Sequence, residues 1–210
     1  MPTLKDPLRL AELLCGRISH DLAGMIGTLA GALELTGDPS VAAEAIALAR
    51  HSAIEARQRL EVLRASWGPE LDPLALPTLQ TLAEGLPQVH RCRLDMSGLP
   101  HDTVFSPSFA RVLLNLLLLA TESLHGSGTI ALSGGATDLI IAISGPRAAW
   151  PAGLLACLAD ESAAWDALAD PNAVQMPLTV LLARAAGLRL SLLLPSGPNG
   201  PTPPLRLQKV

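Results

Sequence analysis

The sequence predicts an α+β fold: a helical hairpin that forms a dimeric four-helix bundle, followed by an α/β sandwich. The first observation behind this prediction is the helical spacing of apolar residues as far as about Trp67. The second is the change of pattern after Pro69, where short strand-like runs alternate with helical ones, as in mixed layered domains. We therefore place a helical domain over residues 1–69 and an α/β domain over residues 70–210.

The first predicted helix runs from about Pro7 to Leu35 and is amphipathic. At ~100° of rotation per residue, its apolar side chains fall into one stripe. The stripe consists of Leu10, Ile18, Leu22, Met25, Leu29 and Leu33, with Ile26 at its margin. This stripe is the face that we expect the fold to bury.

The second predicted helix runs from Pro39 to about Trp67. Gly37 suits the C-terminal cap of the first helix, Asp38 suits an N-cap, and Pro39 suits the first helical position. The apolar positions of this second helix form a narrow seam. They are Ala42, Ala45, Ala49, Ser52, Ala56, Leu60 and Leu63. Because a lone hairpin has no second layer over its apolar stripe, we expect a homodimer in which two hairpins form a four-helix bundle.

The remaining chain alternates helical and strand patterns. We predict helices over residues 78–86, 106–124, 152–158 and 178–186, and strands over residues 90–94, 128–133, 139–144, 188–194 and 205–207. Gly134-Gly135 is the predicted turn of a hairpin, and residues 197–201 are the predicted turn between the last two strands.

His20 lies on the side of the first helix opposite the apolar stripe, roughly 190° from the centre of that stripe. Small residues surround it, among them Gly24, Gly27 and Gly31. One interpretation is a docking surface with a titratable nucleophile at its centre. The other is a face of small residues that packs closely on another helix. The helical wheel alone does not separate the two.

Four stretches together carry a resemblance to a known family. They are Leu10 to Gly24, which contains Ser19-His20-Asp21-Leu22 and continues through Gly27 to Leu35; Arg111 to Ala120; Ser144 to Arg147; and Leu178 to Leu192. A hairpin with this motif, followed by an α/β sandwich, resembles the dimerisation and ATP-binding modules of histidine kinases. It is still more similar to the ChpT-type histidine phosphotransferases of bacterial phosphorelays.

The resemblance implies that His20 accepts a phosphoryl group from the aspartyl phosphate of one receiver domain and passes it to another. Neutral imidazole is a suitable nucleophile at neutral pH. Asp21 would take or orient the imidazole proton, and Arg17 would contact the phosphoryl oxygens or an acidic receiver rim. The alternative for Arg17 and Asp21 is a solvated pair on an exposed face.

The implied partners are the receiver domain of a hybrid histidine kinase and the receiver domains of response regulators. The small residues on the face that carries His20 would let a receiver helix approach the backbone closely. They are Gly24, Gly27, Thr28 and Gly31. The alternative function is a non-phosphorylated adaptor that docks receiver domains through the same face.

The predicted α/β domain departs from the kinase pattern at the positions that hold ATP. Leu119 stands where the kinases carry a second Asn four residues after Asn115. The glycine-rich loop is replaced by Ile143 to Arg147, and a later Gly-Leu turn by Met176 to Thr179. We therefore expect a degenerate ATPase-like domain, a phosphoryl carrier without kinase activity, and no bound cofactor, since the partner receiver would supply Mg²⁺.

Composition excludes further classes of function. The net charge is −4 and there is no basic block, so we expect no nucleic-acid binding. The longest apolar run, Val112 to Ala120, is too short for a membrane span. Three widely spaced cysteines and the absence of a signal segment indicate a cytoplasmic protein.

Metal chemistry is not expected from the sequence. A metal site built on His20 and Asp21 would need further ligands at helical spacing. The other histidines are His51, His90, His101 and His125, and they show no such arrangement along the chain. We therefore predict no metal site.

Overall fold

The computed structural model describes residues 5–68, 72–170, 173–193 and 201–210. Within these residues, a hairpin of α1 and α2 precedes a domain of five α-helices and seven strands, which confirms the predicted α+β class. The elements are α1 (Lys5–Glu34), α2 (Ala42–Trp67), β1 (Leu74–Ala75), α3 (Leu76–Ala83), β2 (Cys92–Gly98), β3 (Val104–Phe105), α4 (Pro107–Ser123), β4 (Gly128–Gly134), β5 (Asp138–Ser144), α5 (Leu154–Ala159), α6 (Glu161–Ala167), α7 (Gln175–Ala185), β6 (Leu188–Leu192) and β7 (Leu205–Lys209). Within the described ranges, no helix is long and apolar enough to cross a membrane.

A five-stranded sheet in the order β2-β4-β5-β7-β6 forms one layer of the α/β domain. β2 pairs in parallel with β4, and every other pairing in this sheet is antiparallel. Parallel neighbours need a crossover, and α4 lies in the connection between them. β1 and β3 form a separate two-stranded sheet.

α4 is the centre of the core. Every residue from Val112 to Thr121 is buried, because α4 packs against α2, α7 and β4 on different sides. The buried side chains Leu13, Val62 and Leu63 of the hairpin belong to this same hydrophobic cluster. The hairpin is therefore anchored to the α/β domain by apolar burial, the dominant favourable contribution to folding.

The hairpin buries one side of each helix and leaves apolar side chains exposed on another side. In the predicted seam of α2, Ala45, Ala49, Ser52 and Leu63 are buried, whereas Leu60 is 40% exposed at the edge of the seam. In the α1 stripe, Leu33 remains 52% exposed. The α1–α2 contact alone does not cover these side chains. A second hairpin could cover them, and the homodimer stays a prediction.

Among the described residues, and apart from two 3₁₀ turns, the structure adds three elements to those that the sequence predicted. They are the two-residue strands β1 and β3, which are too short to show a period, and α6. Asp160 caps α6, since its carboxylate accepts a hydrogen bond from the Ser162 amide at 3.0 Å. The predicted domain boundary at residues 69 and 70, and all but the last residue of the predicted turn at 197–201, lie outside the described residues.

Candidate functional site

His20 lies in the middle of α1 with its side chain 90% exposed. This confirms the helical-wheel prediction that the imidazole is on the solvent side. Its Nδ1 atom lies 3.6 Å from Oδ1 of Asp21. That separation exceeds a hydrogen bond, so Asp21 is a neighbouring negative charge and not a tight proton acceptor.

An open groove of about 540 Å³ runs beside His20. Most of its lining comes from successive turns of α1, and Glu122, at the C-terminal end of α4, forms the remainder. The lining residues are Arg9, Glu12, Leu13, Gly16, Arg17, His20, Asp21 and Glu122. The candidate site is therefore shared between the hairpin and the α/β domain.

Arg17 forms an ion pair with Glu122, and this pair ties α1 to the end of α4. The two side chains are 19% and 33% exposed. Burial raises the pKa of the Glu122 carboxyl, and the positive charge of Arg17 opposes that rise. The interpretation of Arg17 as part of a solvated pair with Asp21 is thus wrong, because the desolvated Glu122 carboxylate holds its guanidinium.

Arg59 of α2 is a charged residue near the site that the sequence analysis missed. Burial lowers the pKa of its guanidinium, and the charge of Asp21 is the largest effect opposing that shift. Its Nη1 atom is buried and has no hydrogen-bond partner among the described residues. A cluster of two positive and two negative side chains therefore lies where α1, α2 and α4 meet. Its members are Arg17, Asp21, Arg59 and Glu122.

The face of small residues on α1 is open to solvent. Gly24, Gly27, Thr28 and Gly31 are all exposed, and a Cβ atom added at any of the three glycines would meet no atom within 4 Å. The Thr28 hydroxyl donates to the carbonyl oxygen of Gly24 at 3.1 Å, within its own helix. Within the described part of this chain no helix packs on that face, so close helix packing in the same protomer does not explain it.

Asn115 is fully hydrogen-bonded inside the domain. Its Nδ2 donates to the carbonyl oxygens of Ser66 at 3.1 Å and Arg111 at 2.9 Å. Its Oδ1 accepts from Trp67 Nε1 at 2.9 Å and from Gln175 Nε2 at 3.1 Å. These bonds use the whole amide to hold the end of α2 against α4 and α7, so Asn115 is a hydrogen-bonding residue of the core.

We predict that Asn115→Ala lowers the free energy of unfolding by about 2–4 kcal/mol, because it leaves several buried polar groups without partners. Urea unfolding followed by circular dichroism measures this change. Thr28→Ala on the exposed face of α1 is the control and should change stability by less than about 0.5 kcal/mol. A loss in Asn115→Ala no greater than in the control would show that the network contributes little.

The fold brings together a second cluster of titratable side chains, which the sequence analysis did not identify. His51 and Glu55 of α2 lie beside His90, which belongs to a short 3₁₀ turn (Val89–Arg91) ahead of β2. The Nε2 atoms of His51 and His90 lie 3.4 Å and 3.1 Å from Oε1 of Glu55. The sequence spacing of His51 and Glu55 did not indicate this cluster, because the tertiary fold brings His90 next to them.

Comparisons with known proteins agree with this architecture. The model of the histidine phosphotransferase C-terminal domain family matches residues 76–196. The chain is 28% identical over 203 residues to the protein phosphotransferase ChpT of Brucella abortus (strain 2308), covering 91% of this chain and 93% of that protein. A bacterial phosphotransferase solved at 1.7 Å shares the fold, with a TM-score of 0.72, 23% identity, and coverage of 99% of this chain and 97% of that one. The chain therefore belongs to the histidine phosphotransferase family, which confirms the predicted ChpT-type resemblance and the predicted function in phosphotransfer of a two-component phosphorelay.

Proposed function

We propose that His20 is the phosphoryl carrier of this chain. The observation that supports this assignment is the 90% exposed imidazole beside an open groove, on a face of α1 that its own protomer leaves uncovered. A receiver domain that carries an aspartyl phosphate has unhindered access to such a side chain. Histidine is also the side chain whose ordinary pKa keeps it largely neutral, and therefore nucleophilic, near pH 7.

The transfer step exchanges one bond to phosphorus for another. The lone pair of the imidazole Nε2 attacks phosphorus, and the bond between phosphorus and the aspartyl oxygen breaks, so the receiver aspartate leaves as a carboxylate. Nδ1 keeps its proton and faces the Asp21 carboxylate, whose negative charge stabilises the positive charge that develops on the ring. The reverse reaction delivers the phosphoryl group to a second receiver.

Arg17 acts in this proposal by positioning. Arg17 lies one turn of α1 before His20, and its guanidinium is held by Glu122 of α4. This ion pair fixes the α/β domain against α1 beside the phosphoryl acceptor. The phosphoryl oxygens would instead meet the Mg²⁺ that the receiver brings, and no resident metal or nucleotide is needed for the step.

We also propose that receiver domains dock on the small-residue face. Gly24, Gly27, Thr28 and Gly31 follow His20 along the next three turns of α1 and offer a surface without bulk. The partners would be the receiver of a hybrid histidine kinase on one side of the relay and the receivers of response regulators on the other. Transfer by His20 requires both kinds of receiver to use this one face in turn.

The experiment that tests this proposal is a two-step chase. The chain is first incubated with a receiver domain phosphorylated on its aspartate, and the isolated product is then given a second, unphosphorylated receiver. We expect an acid-labile label on the chain after the first step and its transfer to the second receiver after the second. Receiver binding without any label on the chain would instead support the adaptor function.

We propose that the hairpin forms a homodimer. Large apolar side chains remain exposed along both helices and in the connection between them, and pairing of two hairpins would bury such a surface. They are Leu8, Ile26, Leu33, Leu35, Val41, Ile46, Leu48, Ile54 and Leu60. Among the described residues outside the hairpin, exposed large apolar side chains are fewer and scattered, with Leu155 of α5 as an example.

We predict that Ile54→Asp converts the dimer to a monomer, because it places a charge in an apolar interface. Light scattering on a sizing column should give twice the chain mass of 21.9 kDa for the unmodified protein and 21.9 kDa for the variant. Leu155→Asp, at a side chain 65% exposed on α5, is the matched control and should remain a dimer. An unmodified protein that is monomeric at micromolar concentration would contradict the four-helix bundle.

A further inference from the structure

A second cluster of titratable side chains lies where α2 meets the α/β domain. His51 and Glu55 come from consecutive turns of α2, and His90 comes from the 3₁₀ turn before β2. One ligand atom from each of the three lies within 4.8 Å of the others. The two imidazole rings are 5.7 Å apart between centroids, and both Nε2 atoms point at the same oxygen of Glu55.

The spacing of these atoms is close to that of ligand atoms around a small divalent cation. Zinc binds imidazole nitrogen and carboxylate oxygen at about 2.0–2.2 Å, so ligand atoms at two corners of a tetrahedron are roughly 3.3–3.5 Å apart. The separation of His51 Nε2 from Glu55 Oε1, 3.4 Å, falls in this range, and that of His90 Nε2 from the same oxygen, 3.1 Å, is slightly shorter and within hydrogen-bond distance. Two imidazoles and one carboxylate, with one corner left for water, form a ligand set that zinc accepts.

The arrangement is also accessible and partly fixed in advance. Residues four apart on a helix lie on one face, which sets His51 and Glu55 side by side without cost to the backbone. The three side chains are 56%, 42% and 67% exposed, so a hydrated ion can enter.

We propose that His51, Glu55 and His90 bind a divalent transition-metal ion of the zinc class. The bound ion would join α2 to the start of β2, next to the hydrogen bond that Gln58 Nε2 donates to Glu84 Oε2 at 2.8 Å. It would hold the hairpin and the α/β domain in one relative position from the side of α2. This role is structural and is separate from the phosphoryl chemistry proposed at His20.

Zinc titration of the metal-stripped full-length chain tests the proposal. Calorimetry should show one Zn²⁺ per chain with a dissociation constant in the micromolar range, and Zn²⁺ should raise the melting temperature because it binds the folded state. His51→Ala and His90→Ala should each weaken binding roughly tenfold or more and remove most of the rise in melting temperature. His101→Ala and Cys15→Ser, both at exposed positions, are the controls and should behave like the unmodified chain.

Two results would overturn the assignment. One is the absence of any heat of binding or melting shift when Zn²⁺ is added at a large excess over the chain. The other is binding that survives both histidine variants, or that is lost in Cys15→Ser, since the ion would then sit elsewhere. The apo variants should melt close to the apo unmodified chain, which separates lost binding from lost folding.

Discussion

His20→Ala is expected to abolish acceptance of a phosphoryl group from a phosphorylated receiver while leaving the fold intact. The substitution removes the nitrogen that attacks phosphorus, and no other imidazole among the described residues lines the groove. Because the side chain is 90% exposed, its loss removes little packing, and the free energy of unfolding should change by less than about 0.5 kcal/mol. Radiolabel transfer and urea unfolding of the same preparation measure both effects.

The matched control for this prediction is His101→Ala, at another exposed histidine outside the groove, which should keep full labelling. Receiver binding should also survive His20→Ala, since the docking face is unchanged. Retained labelling in His20→Ala would remove His20 from the chemistry. Unfolding of the variant would show that His20 is not the free side chain that its exposure indicates.

Gly27→Arg is expected to block receiver docking and so to lower phosphotransfer at least about a hundredfold. The added side chain brings bulk and charge into the surface that a receiver helix must approach, two turns from His20. A Cβ atom at Gly27 meets nothing within 4 Å, and replacing an interior helical glycine gains up to about 1 kcal/mol of helix propensity. The variant should therefore be at least as stable as the unmodified chain.

Gly135→Arg provides a control of equal size and charge. Gly135 is also free of atoms within 4 Å of an added Cβ, but it lies in the β4–β5 turn and not on α1. Direct binding of a receiver, measured by calorimetry, should be lost in Gly27→Arg and kept in Gly135→Arg. Equal binding in the two variants would place the docking surface away from the small-residue face.

The parts of the fold that the sequence predicted correctly rest on local signals. The approximate extents of α1 and α2 follow from helical periodicity. The predicted caps between them are wrong, because α2 begins at Ala42 with Val41 as its N-cap and not at Pro39, and Gly37 ends a 3₁₀ turn (Leu35–Gly37). The exposure of His20 follows from the same periodicity, because a side chain opposite the apolar stripe has only solvent or a partner to face. β4 and β5 were recognisable because their strand pattern flanks a Gly-Gly turn.

The parts that the sequence did not predict depend on tertiary contacts. The ion pair of Arg17 with Glu122 joins residues 105 positions apart, and no local pattern indicates it. Glu122 did carry one signal, since it is the first charged residue after the long apolar run that follows Arg111. The cluster of His51 and Glu55 with His90 was hidden for the same reason, because the fold supplies its third ligand.

The account depends most on where the phosphoryl group is attached. After incubation of the unmodified chain with a phosphorylated receiver, digestion at neutral pH and mass spectrometry of the peptides locate the modified residue. We predict phosphohistidine at His20 in the peptide that contains Ser19 and Asp21. A phosphoryl group on any other histidine, or a chain that binds the receiver and remains unmodified, would contradict the assignment of His20 as the phosphoryl carrier.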